Sequence, residues 1–190
     1  MNAPNLEPRH LRSCLSRFVT GVAVVSYRAD GDLRGLTVNS FTSVSLDPPL
    51  ILVSLARSAK AVEHLDRVPF TINVLKASQF DIALQFAGRP RDGLRVEWQP
   101  EDDDLAPTLK GALASFRCRP WQAYDGGDHV LQLGRVVHAD VTTGEEPLLF
   151  DRGRFAMVGL SLFDNPRVID ADPVIGGGIV RSHLVHQLAS

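Results

Sequence analysis

Residues 18–28 read FVTGVAVVSYR, 29–32 read ADGD and 33–43 read LRGLTVNSFTS, and this stretch decides the class of fold. The first segment is dense in β-branched side chains, which suit a pleated backbone. Ala29-Asp30-Gly31-Asp32 is a turn signal, and Leu36, Val38, Phe41 and Val44 then resume near alternation. Two such runs across a short polar turn predict a β-hairpin, its second arm running from Leu33 to Ser43. Leu46-Asp47-Pro48-Pro49 follows as a rigid corner, because two prolines supply no ladder donors. Leu50–Leu55 is a short apolar strand beyond it.

Two helices are expected next. Ser58 caps Ala59–Arg67, whose Ala61, Val62 and Leu65 form one stripe. Pro69–Leu75 reads as a strand. Ser78 with Asp81 three residues on is a capping-box pattern for Gln79–Ala87, with Gly88 as the stop. Gly88–Leu105 is a polar loop that includes Asp102 to Asp104, after which strands return at Ala112–Arg119, His129–Val141 and Arg154–Gly159. In the longest of these Leu131, Leu133, Val137, Ala139 and Val141 share the apolar face, with Arg135 out of place among them. A charge on such a face needs a carboxylate or a subunit boundary. About six strands with two helices inserted mid-chain predict a mainly β protein, an antiparallel barrel; the βαβα alternation of a doubly wound sheet is absent.

The 190 residues suit one domain with a single core, and the apolar and charged shares, 44% and 22%, are those of an ordinary globular chain. A net charge of −2 advertises neither nucleic acid nor an anionic membrane. Apolar runs such as Pro49–Val53 are too short to span a bilayer, and residues 1–12 hold no apolar signal-peptide core. Cys14 and Cys118 stand far apart, in no metal or redox spacing, so a reduced, cytoplasmic compartment is the simplest reading. G-x-G-x-x-G, the phosphate-loop motif and G-x-S-x-G are all missing. His183 and His186 sit three apart in the tail without a third ligand, and no metal site is predicted.

Three segments carry candidate chemistry. Thr37-Val38-Asn39-Ser40-Phe41-Thr42-Ser43 packs five hydrogen-bonding side chains into seven residues, a pattern able to face a flat heteroaromatic ligand or simply to form a strand with one wet face. Arg57-Ser58-Ala59-Lys60 places two cations beside a helix start, which is either a phosphate site or an ordinary cap. His129 follows the Gly126-Gly127 turn with Asp128 beside it, and is either a ligand contact or a turn residue. Arg152-Gly153-Arg154 is a similar case.

Taken together, Thr20–Val25, Leu36–Leu50, Gly127-Asp128-His129 and Gly134-Arg135-Val136 resemble the flavin reductase-like family. Phe70–Leu75, Pro107–Ala112, Cys118 and Pro147–Phe150 before Arg152-Gly153 agree with it. The resemblance runs in order from about Leu11 to Gly159. It implies a six-stranded split β-barrel over residues 1–159, with 160–190 as an appended arm, and a homodimer with the flavin near the subunit boundary. It further implies an NADH- or NADPH-dependent enzyme that supplies reduced FMN or FAD to a monooxygenase component. Thr37, Val38, Asn39, Ser40 and Ser43 would meet the flavin; Arg57, Ser58, Ala59 and Lys60 would hold its phosphate; Ser54 and Arg152 would complete the cofactor-binding set. His129 would sit where hydride is delivered, with no proton-transfer triad needed. Family members often carry an Asp-Arg-Phe-like triplet after the second helix; Arg91-Asp92-Gly93 has no aromatic there. A flavin-binding redox sensor and an oxidase on the same barrel are the rival expectations.

Overall fold

The computed structural model describes residues 6–99 and 104–159. Among them lie helix α1 (Pro8–Leu15), strands β1 (Thr20–Gly21), β2 (Ala23–Ala29), β3 (Asp32–Val38), β4 (Thr42–Leu46), β5 (Pro49–Ala56) and β6 (Phe70–Val74), helix α2 (Phe80–Phe86), and strands β7 (Ala114–Gly126), β8 (His129–Val141), β9 (Leu149–Asp151) and β10 (Arg154–Ala156). Short 3₁₀ turns occupy Lys60–Glu63 and Ala77–Gln79. The chain is mainly β, and every strand pair is antiparallel. Seven strands form one sheet in the order β3-β2-β6-β7-β8-β5-β4, and β1-β9-β10 form a second. Ten strands therefore stand where about six were expected.

The opening hairpin forms as read. Asp30 and Gly31 both take positive φ, 54° and 83°, and Ala29 pairs Asp32 across them. The primed turn this makes matches the right-handed twist of the strands. Its second arm is shorter than predicted: β3 ends at Val38, and β4, after residues 39–41, pairs with β5. That break shapes the molecule. β3 and β4 are the two edges of the seven-stranded sheet, yet three residues join them. A flat sheet would hold those edges roughly 29 Å apart, whereas the connection spans at most about 14 Å. The sheet must curl until its edges approach, although they do not hydrogen-bond to each other.

The curl encloses a core of Val25, Tyr27, Val53, Leu55, Leu65, Phe70, Ile72 and Cys118. A smaller cluster, with Val22, Val24, Leu75, Ala83, Leu109 and Leu148, lies beneath α2. Alternate residues of β2 thus enter different cores, which explains its unbroken burial from Ala23 to Tyr27. Between them, buried Asn73 donates to Val24 O and Ser26 Oγ and accepts from Leu109 N–H at 2.7 Å.

Three local expectations need correction. The helix over Ala59–Arg67 is replaced by the four-residue 3₁₀ turn and overlapping turn bonds, and Ser58 makes no capping bond. Pro69 disfavours helix in the residue before it, and turns suffice to bring Ala61 and Leu65 into the core. The second helix forms one residue shorter at each end, but its entry is bound by Gln79 Oε1 accepting from Lys76 N–H, not by Ser78. Gly88, at φ 77°, ends it as read. In β8 the apolar alternation misplaces the core: Val137 and Val141 are 46% and 75% exposed, while Gln132 and Gly134 are buried. A register shift between Arg117 and Cys118 reverses the faces, and beyond Arg135 the strand pairs only with β7. Arg135 itself is exposed, so it pays no burial penalty. A helix at Pro8–Leu15, not anticipated, carries Pro at its start and a Glu7 cap that accepts from His10 N–H. The tail, with His183, His186 and Gly176–Gly178, and the acidic residues 102 and 103 lie outside the described residues.

Candidate functional site

The curl leaves a groove where the end of β3 and the 39–41 connection face β5 and the start of β8. Leu36, Thr37, Val38, Asn39, Ser40, Ser54, Leu55, Ala56, Ala59 and His129 line a 250 Å³ hollow there. Seven of the predicted site residues thus meet in space: Thr37, Val38, Asn39, Ser40, Ser54, Ala59 and His129. Sheet pairing does this, since Ala56 is the register partner of His129 and Ser54 of Leu131.

Two of the hydroxyls already have structural partners. Thr37 Oγ1 donates to Ala83 O at 2.8 Å, fastening β3 to α2. Ser40 Oγ donates to Ser54 O at 2.7 Å and accepts from Ser54 N–H at 3.1 Å, stitching the connection to β5. Val38 is buried and Asn39 is exposed. His129 is half-buried, and its Nδ1 lies 2.7 Å from Asp128 Oδ1. That hydrogen bond, and secondly the charge of the imidazole, hold the Asp128 carboxyl below its ordinary pKa.

The other predicted residues are placed differently. Ser43 is exposed on β4 opposite Ile51 and does not line the hollow. Arg57 turns toward the 125–128 turn: Nε donates to Gly127 O at 2.7 Å, and a terminal nitrogen contacts the Asp125 carboxylate. Its backbone N–H donates to Asp128 O. Arg57 therefore braces the turn that carries His129. Ser58 is exposed, and without an α-helix behind it the dipole argument for an anion falls away. Lys60 lines a second, larger hollow. Arg152, at φ 47°, pairs with Asp151 and lines a 230 Å³ hollow with Arg12, Phe18, Asn39 and Phe150.

The larger hollow, about 920 Å³, adjoins the groove through Leu36, Thr37 and Ala59 and adds Tyr27, Arg34, Gly35 and Phe86. Sequence reading missed these, because Arg34 and Phe86 sit in segments whose pattern reads as plain strand and helix. Arg34 donates to Asp30 at 2.8 Å and lies 3.5 Å from His64 Nε2; His64 in turn packs on Tyr27. Burial pushes the Tyr27 hydroxyl pKa up, against the lowering influence of Arg34. No group of three or more potential metal ligands occurs among the described residues.

Residues 15–159 match the family model for the flavin reductase like domain. The FMN reductase (NADH) of Agrobacterium fabrum is 39% identical over 148 residues, covering 77% of this chain and 84% of that protein. The reductase component of 4-hydroxyphenylacetate 3-monooxygenase from Thermus thermophilus is 38% identical over 146 residues, covering 75% and 91%. Among solved structures, the NADH:FAD oxidoreductase of Streptomyces globisporus in complex with NAD and FAD fragments superposes with a TM-score of 0.75 at 36% identity, covering 85% of this chain and all of that one.

Proposed function

The chain belongs to the flavin reductase-like family, and from that premise we propose that it oxidises NADH or NADPH and passes the hydride to FMN or FAD, releasing reduced flavin to a monooxygenase component. The observation that carries the reading is the groove, in which the 36–40 segment, Ser54, Ala59 and His129 converge from three distant parts of the chain. Its walls fit a flavin: Leu36, Val38 and Leu55 offer apolar contact, while Asn39 and the backbone of the 39–41 connection, outside any strand, offer polar groups. Hydride transfer between nicotinamide and flavin is chemistry the two cofactors supply when bound. The protein's work is positioning. Asn39 and Ser54 face the flavin, and Ala59 and Lys60 border its phosphate end, with Ser58 and Arg57 nearby. His129, held by Asp128, orients the nicotinamide carboxamide at the mouth of the groove.

The same reading includes a split barrel over residues 1–159, closed by six of the ten described strands, together with a cytoplasmic setting and a homodimer. Trp121, Tyr124, Val137, Val141, Val44 and Leu46 are all exposed on β4, β7 and β8, apolar surface that pairing of two copies would cover. Sedimentation at micromolar concentration checks the dimer; a monomer refutes it. For the activity, FMN or FAD added to the purified protein is expected to stimulate NADH or NADPH oxidation, and the flavin absorbance is expected to bleach under anaerobic conditions. No stimulation by either flavin overturns the reductase. Tight flavin binding without bleaching identifies a sensor instead.

A further inference from the structure

We propose that the 920 Å³ hollow beyond Thr37 and Ala59 seats the adenylate half of FAD, with Arg34 contacting its phosphate and Phe86 walling its adenine, so that FAD is preferred over FMN. This rests on the flavin reading above and names which flavin the site is built for.

Volume and continuity come first. The inner hollow, at 250 Å³, falls below the roughly 300–1,000 Å³ of ordinary small-molecule sites, and it opens into the larger one through shared Leu36, Thr37 and Ala59. Arg34 and Asn39 are five residues apart along an extended segment, about 17 Å, so the joined space has dinucleotide length. An occupant of the inner hollow whose phosphate reaches Ala59 has the second hollow directly ahead of it.

The wall residues suit a nucleotide. A Cβ on Gly35 would lie 2.6 Å from Phe86 Cδ1, so only a glycine lets that ring lie against β3. Trp98 holds the ring from the side, edge-to-face at 6.0 Å. The result is a fixed aromatic wall able to stack on a purine. Arg34 is half-buried and oriented by Asp30, His64 and the Tyr27 hydroxyl, and a guanidinium has five donors, so its remaining donors are left for a phosphate. Asp30 and Glu63 balance Arg34 and Lys60 in charge. The hollow therefore recognises by directed contact, not by net field.

The test compares dissociation constants of FAD, FMN and riboflavin for the wild-type protein, Arg34→Gln and Gly35→Ala, with Michaelis constants for NADH alongside. The wild-type protein is expected to bind FAD at least about 10-fold more tightly than FMN, one charge-assisted contact. Arg34→Gln and Gly35→Ala should each remove most of that difference while FMN affinity changes less than about two-fold. Equal affinities for FAD and FMN in the wild-type protein, with FMN still reduced by NADH, overturn the proposal and leave the reductase standing. A raised Michaelis constant for NADH in Arg34→Gln with FAD binding unchanged assigns the hollow to the nicotinamide dinucleotide, and also overturns it. If neither flavin binds, both readings fall. Thermal unfolding of Gly35→Ala separates a displaced Phe86 from a damaged fold, and Arg34→Gln decides the matter alone if it is damaged.

Discussion

The two walls of the groove are made of different materials. On the β3–β5 side, half-buried hydroxyls bond to backbone: Thr37 to Ala83, and Ser40 both ways with Ser54. On the turn preceding β8, exposed side-chain contacts do the holding: the Arg57–Asp125 ion pair and the His129–Asp128 hydrogen bond. Bonds of the first kind are shielded from solvent, and losing one strands a desolvated partner. Exposed pairs contribute little to stability and weaken in salt. The first wall therefore fixes a shape, while the second holds the imidazole by contacts that solvent and salt weaken.

The largest effect expected is on the floor beneath both walls. Gly134 of β8 is buried, and a Cβ there would lie 2.5 Å from Phe70 Cζ and 3.0 Å from Cys118 Cβ. Gly134→Val should destabilise by about 3 kcal/mol and lower the melting temperature by roughly 6–12 °C. An unchanged melting temperature would show that the fixed wall rests on nothing rigid, and the contrast between the two walls would dissolve.

The exposed wall is tested at His129. His129→Ala should slow anaerobic flavin reduction about ten- to a hundred-fold, the loss of one orienting hydrogen bond, and leave flavin titrations unchanged. Reduction at the wild-type rate at every nicotinamide concentration would make His129 a turn residue. The pH dependence has a defined sign. His129 holds the Asp128 carboxyl below its ordinary value, so the carboxylate's side of the contact is in place above that value and is lost as pH falls through the lowered one. Asp128→Asn should accordingly lose some of the His129-dependent rate at neutral pH in stopped-flow reduction.

Ser40→Ala sharpens the comparison from the other side. It leaves the N–H and C=O of Ser54 without their partner, at about 1–2 kcal/mol of stability, and it should weaken FMN and riboflavin alike because it alters the groove and touches no phosphate. Calorimetry and flavin titration read both. A loss confined to catalysis, with stability intact, would place Ser40 among the ligand contacts instead.

What could be read from the chain beforehand follows from how local each signal was. The hairpin turn is encoded in two adjacent residues, Asp30 and Gly31, and it forms as expected. The stop at Gly88 is equally local. The faces of β8 depended on a bulge at Val137, which has no register partner opposite Arg117 and Cys118, and the apolar alternation within 129–141 does not reveal it. The 59–67 segment carries helical spacing, but its short tether between β5 and β6 favours turns. At the site, Thr37–Ser40 and His129 were identifiable by residue type, and the sheet brings them together. The partners that use up Thr37 and Ser40 lie 46 and 14 residues away, beyond any motif. Arg34 and Phe86 escaped because each is unremarkable in its own element.

The smallest effect, and the one that separates two readings of the exposed wall most finely, belongs to Arg57. As a phosphate ligand it would matter to FMN and FAD but not to riboflavin. The structure instead has its guanidinium on Gly127 O and the Asp125 carboxylate, bracing the turn from which His129 emerges. The side chains of that pair are 47% and 79% exposed, so Arg57→Ala should cost no more than about 1 kcal/mol of stability. Its catalytic signature should be a diluted copy of His129→Ala: a few-fold slower flavin reduction, a higher Michaelis constant for NADH, and equal, slight changes in FMN and riboflavin affinity. Raising the ionic strength should reproduce part of this in the wild-type protein, because the same exposed contact is screened. The result that would overturn the bracing role is a selective loss of FMN over riboflavin with reduction kinetics intact. Arg57 would then have to leave Asp125 when flavin binds, and the turn would be holding His129 without it.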